Sequence, residues 1–102
     1  MKETISDVLK ERLEKAFPVF ISNKEDSKVI AQLVNLKEGV KLYLIAKGLS
    51  TDRYYGIIET DSNDKFTIMG ISESNIKSLK VEELPMVPFY FKKFMQEDIK
   101  IS

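Results

Sequence analysis

Residues 41–60, KLYLIAKGLSTDRYYGIIET, constrain the fold more than any other stretch. Two runs rich in β-branched and aromatic side chains flank a polar loop holding Gly48, Ser50, Thr51 and Asp52, which predicts a central β-hairpin. In the first arm, residues 40–47, Val40, Leu42, Leu44 and Ala46 alternate with Lys41, Tyr43, Ile45 and Lys47, the period of a strand. The first set belongs against a helix. The second is expected on a half-solvated face, with Tyr43 and Ile45 semi-exposed. In the second arm, residues 53–60, Tyr55 and Ile57 share one face and Tyr54 and Ile58 the other. Gly56 in mid-strand marks a bulge or a site where something packs closely on the backbone.

The rest of the chain extends this hairpin. Asp61, Ser62, Asn63 and Asp64 are turn formers and lead to a fourth strand over residues 65–71, carrying Phe66, Ile68 and Met69. Upstream, KVIAQLVNL at residues 28–36 reads as a strand on the sheet's edge, joined to the hairpin by Lys37, Glu38 and Gly39. Residues 4–17 have the apolar spacing of an amphipathic helix, with Ile5, Val8, Leu9, Leu13, Ala16 and Phe17 on one stripe. Thr4 with Asp7 caps it, and Pro18 is expected to end it by disfavouring helical geometry at Phe17. Val19, Phe20 and Ile21 then link into the core. Ser78 reads as the cap of a short helix over residues 79–84, stopped by Pro85 and Pro88. Residues 89–102 fit either an edge strand or a helical face built from Phe91, Phe94 and Met95, and a strand or extended segment near 89–94 is expected. The pattern implies one α+β domain: a four- to five-stranded, mostly antiparallel sheet with the N-terminal helix packed on one face.

Composition narrows the chemistry. The chain has 102 residues with no cysteine and no histidine, which removes disulfides, thiol chemistry, the commonest general base and the commonest metal ligand. Asp61 to Asp64 place oxygens as a calcium loop begins, but Lys65 stands at the fifth position and a strand follows, so a plain turn is expected and no metal. The carboxylate pairs Glu82 and Glu83, Asp61 and Asp64, and Glu97 and Asp98 lack the apolar surroundings that raise a catalytic pKa. No catalytic residue and no cofactor is assigned. Sixteen basic residues balance sixteen acidic ones, against a protein relying on non-specific phosphate attraction. No run approaches the ~18 apolar residues of a membrane span, and the charged N-terminus lacks a signal-peptide core, so a cytoplasmic protein with no membrane contact is expected.

Two stretches suit a protein partner. Thr51, Asp52, Arg53, Tyr54 and Tyr55 put one of two arginines beside two tyrosines at a hairpin end, the residue types that dominate binding hot spots. The plain structural alternative has Tyr55 in the core, Tyr54 covering the outer face and Arg53 paired with Asp52 or Glu59. If Arg53 and Tyr54 form a surface, Arg53→Ala with Tyr54→Ala leaves the fold intact and abolishes binding. The second stretch is MVPFYFKKFM at residues 86–95, with Phe89, Tyr90, Lys92 and Lys93. Its aromatics either close the core or form an interface. The semi-exposed Tyr43 is a further candidate contact. Lys92 and Lys93 among aromatics also permit a single-stranded nucleic-acid platform.

Residues 28–36, Val40 to Ala46, the Tyr55-Gly56 pair and SLKVEELP at residues 78–85 together resemble an uncharacterised family of small proteins carried by phages, plasmids and other mobile elements. In that family a helix, a β-meander, an aromatic-Gly strand and a serine-capped segment follow one another. This chain departs from it in the second strand, where Leu42 and Tyr43 stand in place of the usual tryptophans. The resemblance implies a mobile-element origin and an α+β fold. The expected function is a non-enzymatic protein-binding module, an inhibitor or modulator of a host protein such as a defence nuclease. The alternatives are a nucleic-acid-binding accessory protein and a homo-oligomeric structural protein.

Overall fold

The computed structural model describes residues 5–60 and 68–91. In chain order these form helix α1 (Asp7–Ser22), a 3₁₀ turn (Lys24–Asp26), strands β1 (Lys28–Val29), β2 (Ala31–Asn35), β3 (Val40–Lys47), β4 (Arg53–Glu59) and β5 (Ile68–Ser72), helix α2 (Glu73–Ser78), and strands β6 (Glu82–Leu84) and β7 (Phe89–Tyr90). The main sheet has the order β5-β4-β3-β2-β6, antiparallel throughout. A two-stranded ribbon, β1 with β7, stands apart from it. The α+β architecture expected from the alternation in residues 40–60 is present, with α1 packed on β3.

The central hairpin carries a bulge. Its register passes from Leu44 opposite Gly56 to Ala46 opposite Tyr55, leaving Ile45 as the extra residue. Gly56 serves this irregularity: a Cβ there would lie 2.2 Å from the Tyr43 carbonyl oxygen. The two expectations for this glycine, a bulge and a close backbone approach, are met by one arrangement.

Both faces of the sheet are covered. On the first, Leu33, Leu42, Leu44 and Tyr54 are buried under Leu9 and Leu13 of α1, Ile76 of α2 and Val81. On the second, Tyr43, Ile45, Ala46 and Ile57 pack with Phe20 and Val29, and with the half-buried Phe17, Tyr55, Met86, Phe89 and Phe91. Each fully buried leucine or isoleucine contributes about 1.5–3 kcal/mol relative to exposure. Tyr43 is only 8% exposed and Ile45 wholly buried, so the second face is not the half-solvated surface that alternation suggests. The ribbon of β1 and β7 and the end of α1 supply the cover.

Several boundaries also differ. The cap of α1 is Ser6, whose Oγ accepts from the Leu9 N–H at 3.2 Å; Thr4 lies outside the described residues. The helix runs through Pro18 to Ser22 instead of ending at Phe17. Tertiary packing holds it: Phe17 and Phe20, on either side of Pro18, lie with ring centroids 5.9 and 5.1 Å from Tyr55. Val19 and Ile21 are exposed members of its last turns, and only Phe20 of the three is core. The strand expected over 28–36 breaks at Ile30 into β1 and β2.

The helix expected over 79–84 is displaced. Ser72, not Ser78, is the cap, accepting from Asn75 N–H at 3.3 Å, and the helix covers Glu73–Ser78. Lys80 at φ 54 turns the chain, and Glu82–Leu84 then pair with β2. That pairing moves β2 from the edge to the interior of the sheet. The turn at 61–64 and the first residues of the strand expected over 65–71 lie outside the described residues, and β5 extends one residue further, to Ser72.

Candidate partner-binding surface

The loop between β3 and β4 is held from four sides. Gly48 N–H donates to the Arg53 carbonyl at 3.0 Å, and Glu73 N–H donates to the Asp52 carbonyl at 2.9 Å. Arg53 N–H donates to Thr51 Oγ1 at 3.3 Å, and the Lys47 ammonium donates to the Gly48 carbonyl at 3.3 Å. Ser50 takes the left-handed conformation that closes the turn. The pinned loop presents Leu49, 55% exposed, next to the exposed Asp52 and Arg53.

Beneath the loop lies a charged network. Tyr54 Oη donates to Glu73 Oε1 at 2.7 Å. Glu73 also meets Lys10 Nζ at 3.4 Å and Lys77 Nζ at 3.6 Å. Lys47, 7% exposed, sits 3.8 Å from Glu14 Oε1, with its ammonium 5.9 Å from the centre of the Tyr54 ring. Burial, and then the bond to the Glu73 carboxylate, raise the Tyr54 phenol above its ordinary range. The same bond, joined by the two lysines, holds the Glu73 carboxyl below its ordinary value. The network therefore ties α1, β3, β4 and α2 together and fixes the root of the hairpin. It is a strut, with its tyrosine buried.

Arg53 reaches outward from this root. It lies across Gly70 of β5, where a Cβ would come 2.7 Å from one guanidinium nitrogen and 3.3 Å from the Arg53 Cδ. The ion pair with Asp52 or Glu59 is not formed. Glu59 instead accepts from Tyr43 Oη at 3.2 Å, and burial, followed by this carboxylate, pushes the Tyr43 phenol up to about 12. Met69, beside Gly70, is 46% exposed.

The residues singled out from the sequence are thus divided among three places. Asp52 and Arg53 stand at the exposed hairpin end. Tyr54 and Tyr43 are core tyrosines on opposite faces, each bonded to a glutamate. The double substitution Arg53→Ala with Tyr54→Ala is consequently no clean probe of a surface, because Tyr54 is wholly buried and its loss opens the first core. Phe89 and Tyr90 form β7: Phe89 leans on the second core, and Tyr90 lies under the Lys28 ammonium, 5.1 Å from its ring centre. Lys92 and Lys93 lie outside the described residues.

No protein-family model, curated protein or solved structure matches this chain.

What the site can do therefore rests on its own geometry. Among the described residues, no group of three or more acidic, cysteine or histidine side chains gathers to hold a metal, and no helix is long and apolar enough to cross a membrane. A shallow depression of about 90 Å³ lies between Leu36, Gly39, Val40, Lys41, Glu59 and Thr60, where Glu59 is already bonded to Tyr43. Sequence reasoning missed Leu49 and Gly70. The signal for Gly70 was present, since a glycine inside a strand marks a place where another group approaches the backbone.

Proposed function

We propose that the chain is a non-enzymatic protein-binding module whose contact surface is the hairpin end and the adjoining strand β5. The observation that carries this reading is Arg53, a guanidinium held across Gly70 on a pinned, exposed loop, with no ion pair among the described residues. Arginine is among the residue types enriched in binding hot spots, and Leu49 adds exposed apolar area beside it. A loop ordered before binding loses little conformational entropy on association. On this reading the partner is a host protein that the chain inhibits or modulates, with a defence nuclease as one such target.

The test is capture from host lysate by the tagged protein, compared with Leu49→Asp and Arg53→Ala, both of which change exposed side chains and leave circular dichroism unchanged. A stoichiometric protein partner retained by wild type and lost from both variants supports the reading. The absence of any protein captured by wild type overturns it.

A further inference from the structure

Resting on the binding-module reading, we propose that β5 is a docking edge that takes an extended segment of the partner as a sixth strand, with an acidic residue of that segment opposite Gly70. The two ends of the sheet are unlike. Strand β6 is three residues long, carries Glu82 and Glu83 and runs into Pro85, features that discourage further pairing. Strand β5, IMGIS, has five residues with neither charge nor proline, and among the described residues no strand lies beyond it.

The register shows which backbone groups of β5 face outward. Asp52 and Glu73 stand directly opposite one another, in step with Arg53 opposite Ser72, and the Glu73 N–H bonds the Asp52 carbonyl. Hydrogen-bonded pairs alternate along an antiparallel ladder. The next ones are therefore Tyr54 with Ile71 and Gly56 with Met69. The bond from Gly48 N–H to the Arg53 carbonyl agrees, since it turns the polar backbone of Arg53 toward β3. Ile68, Gly70 and Ser72 consequently aim their N–H and C=O groups away from β4, with Gly70 at the centre of the edge. A strand paired there hydrogen-bonds Gly70 twice.

Side chains directly opposite in a sheet share a face. The partner residue opposite Gly70 therefore meets the Arg53 guanidinium that lies over this glycine, and a carboxylate suits it by charge and by geometry. Its two neighbours point to the other face, where Met69 is exposed and apolar side chains fit. The recognised segment is apolar, acidic, apolar, in extended form. A second copy of this chain is disfavoured, because two-fold pairing of β5 about Gly70 brings two Arg53 guanidinium groups together.

The test uses ¹⁵N-labelled full-length protein and nine-residue capped peptides of alternating threonine and valine with a central glutamate, glutamine or lysine. The expected result is saturable shifts centred on the Ile68, Gly70 and Ser72 amides, with glutamate bound at least tenfold more tightly than lysine. Arg53→Glu reverses that order. Gly70→Pro, tolerated where an edge N–H points outward, abolishes binding. Equal affinity for the three peptides, or shifts elsewhere, overturns the proposal. So does a Gly70 amide protected from exchange in the free protein, when deleting residues 92–102 releases it (its own tail as occupant) or dilution does (a second copy). If a partner captured from lysate is lost with Leu49→Asp and with Arg53→Ala but kept by Gly70→Pro, the docking edge is wrong and the binding module stands.

Discussion

Replacing Tyr54 with phenylalanine removes one hydroxyl and leaves the ring in place. The lost bond runs to a carboxylate at 2.7 Å, and hydrogen bonds to charged groups contribute about 1.5–3 kcal/mol net. Glu73 keeps Lys10 and Lys77, both at the partly solvated rim, so the lower end applies, about 1.5 kcal/mol. For a chain of 102 residues, each kcal/mol shifts Tm by about 4–8 °C, giving a fall of about 6–12 °C at pH 7. The pH profile carries a second signature. The folded Tyr54 pKa lies above its ordinary value of 10.0, so its contribution is complete below pH 10 and is lost as pH rises toward the folded value. The folded Glu73 pKa lies below 4.5, so its contribution is complete above that pH and is lost as pH falls through the folded value. Tyr54→Phe abolishes the first effect and weakens the second, whose largest cause is the tyrosine. Thermal melts followed by circular dichroism from pH 2.5 to 11.5, wild type against variant, read both. A Tm within about 1 °C of wild type at pH 7, or a difference that does not narrow toward either extreme of pH, refutes the reasoning.

The remaining expectations concern the backbone and the second core. Gly56→Ala drives a Cβ toward the Tyr43 carbonyl and is expected to cost about 3 kcal/mol or more, measured by urea unfolding. Pro18→Ala restores an N–H inside α1 at an exposed position and is expected to stabilise by about 1–3 kcal/mol, read by the same assay. Ultraviolet titration of the folded protein is expected to show Tyr43 ionising near pH 12, and Glu59→Gln to lower that value.

Period-two alternation made the central hairpin and the α+β class legible, because the strand period is intrinsic to the backbone. It misled at Tyr43 and Ile45, since alternation separates two faces without saying that both are covered. The covering pieces, β1, β7 and the end of α1, are short or proline-containing segments whose placement depends on tertiary contacts. Pro18 shows the same limit: local geometry argues for a stop, and the packing of the Phe17 and Phe20 rings on Tyr55 overrides it. The tail of the sheet was misassigned because LKVEEL suits a helix by propensity, while the partner strand β2 that recruits Glu82–Leu84 is about fifty residues away in sequence. At the candidate surface, Arg53 and Asp52 were visible as residue types. That Tyr54 turns inward follows from its register with Lys47 and Ile71, which the sequence does not contain.

Helix α1 contributes Leu9 and Leu13 to one cluster and Phe20 to the other, with Pro18 between the two sets. The sheet therefore cannot shed one layer while keeping the other, as a sandwich of independent leaves can. Lifting the helix exposes both layers at once, so amides of β3 on either side of the bulge should exchange with solvent through a single shared opening. An opening of α1 is thereby felt in both layers.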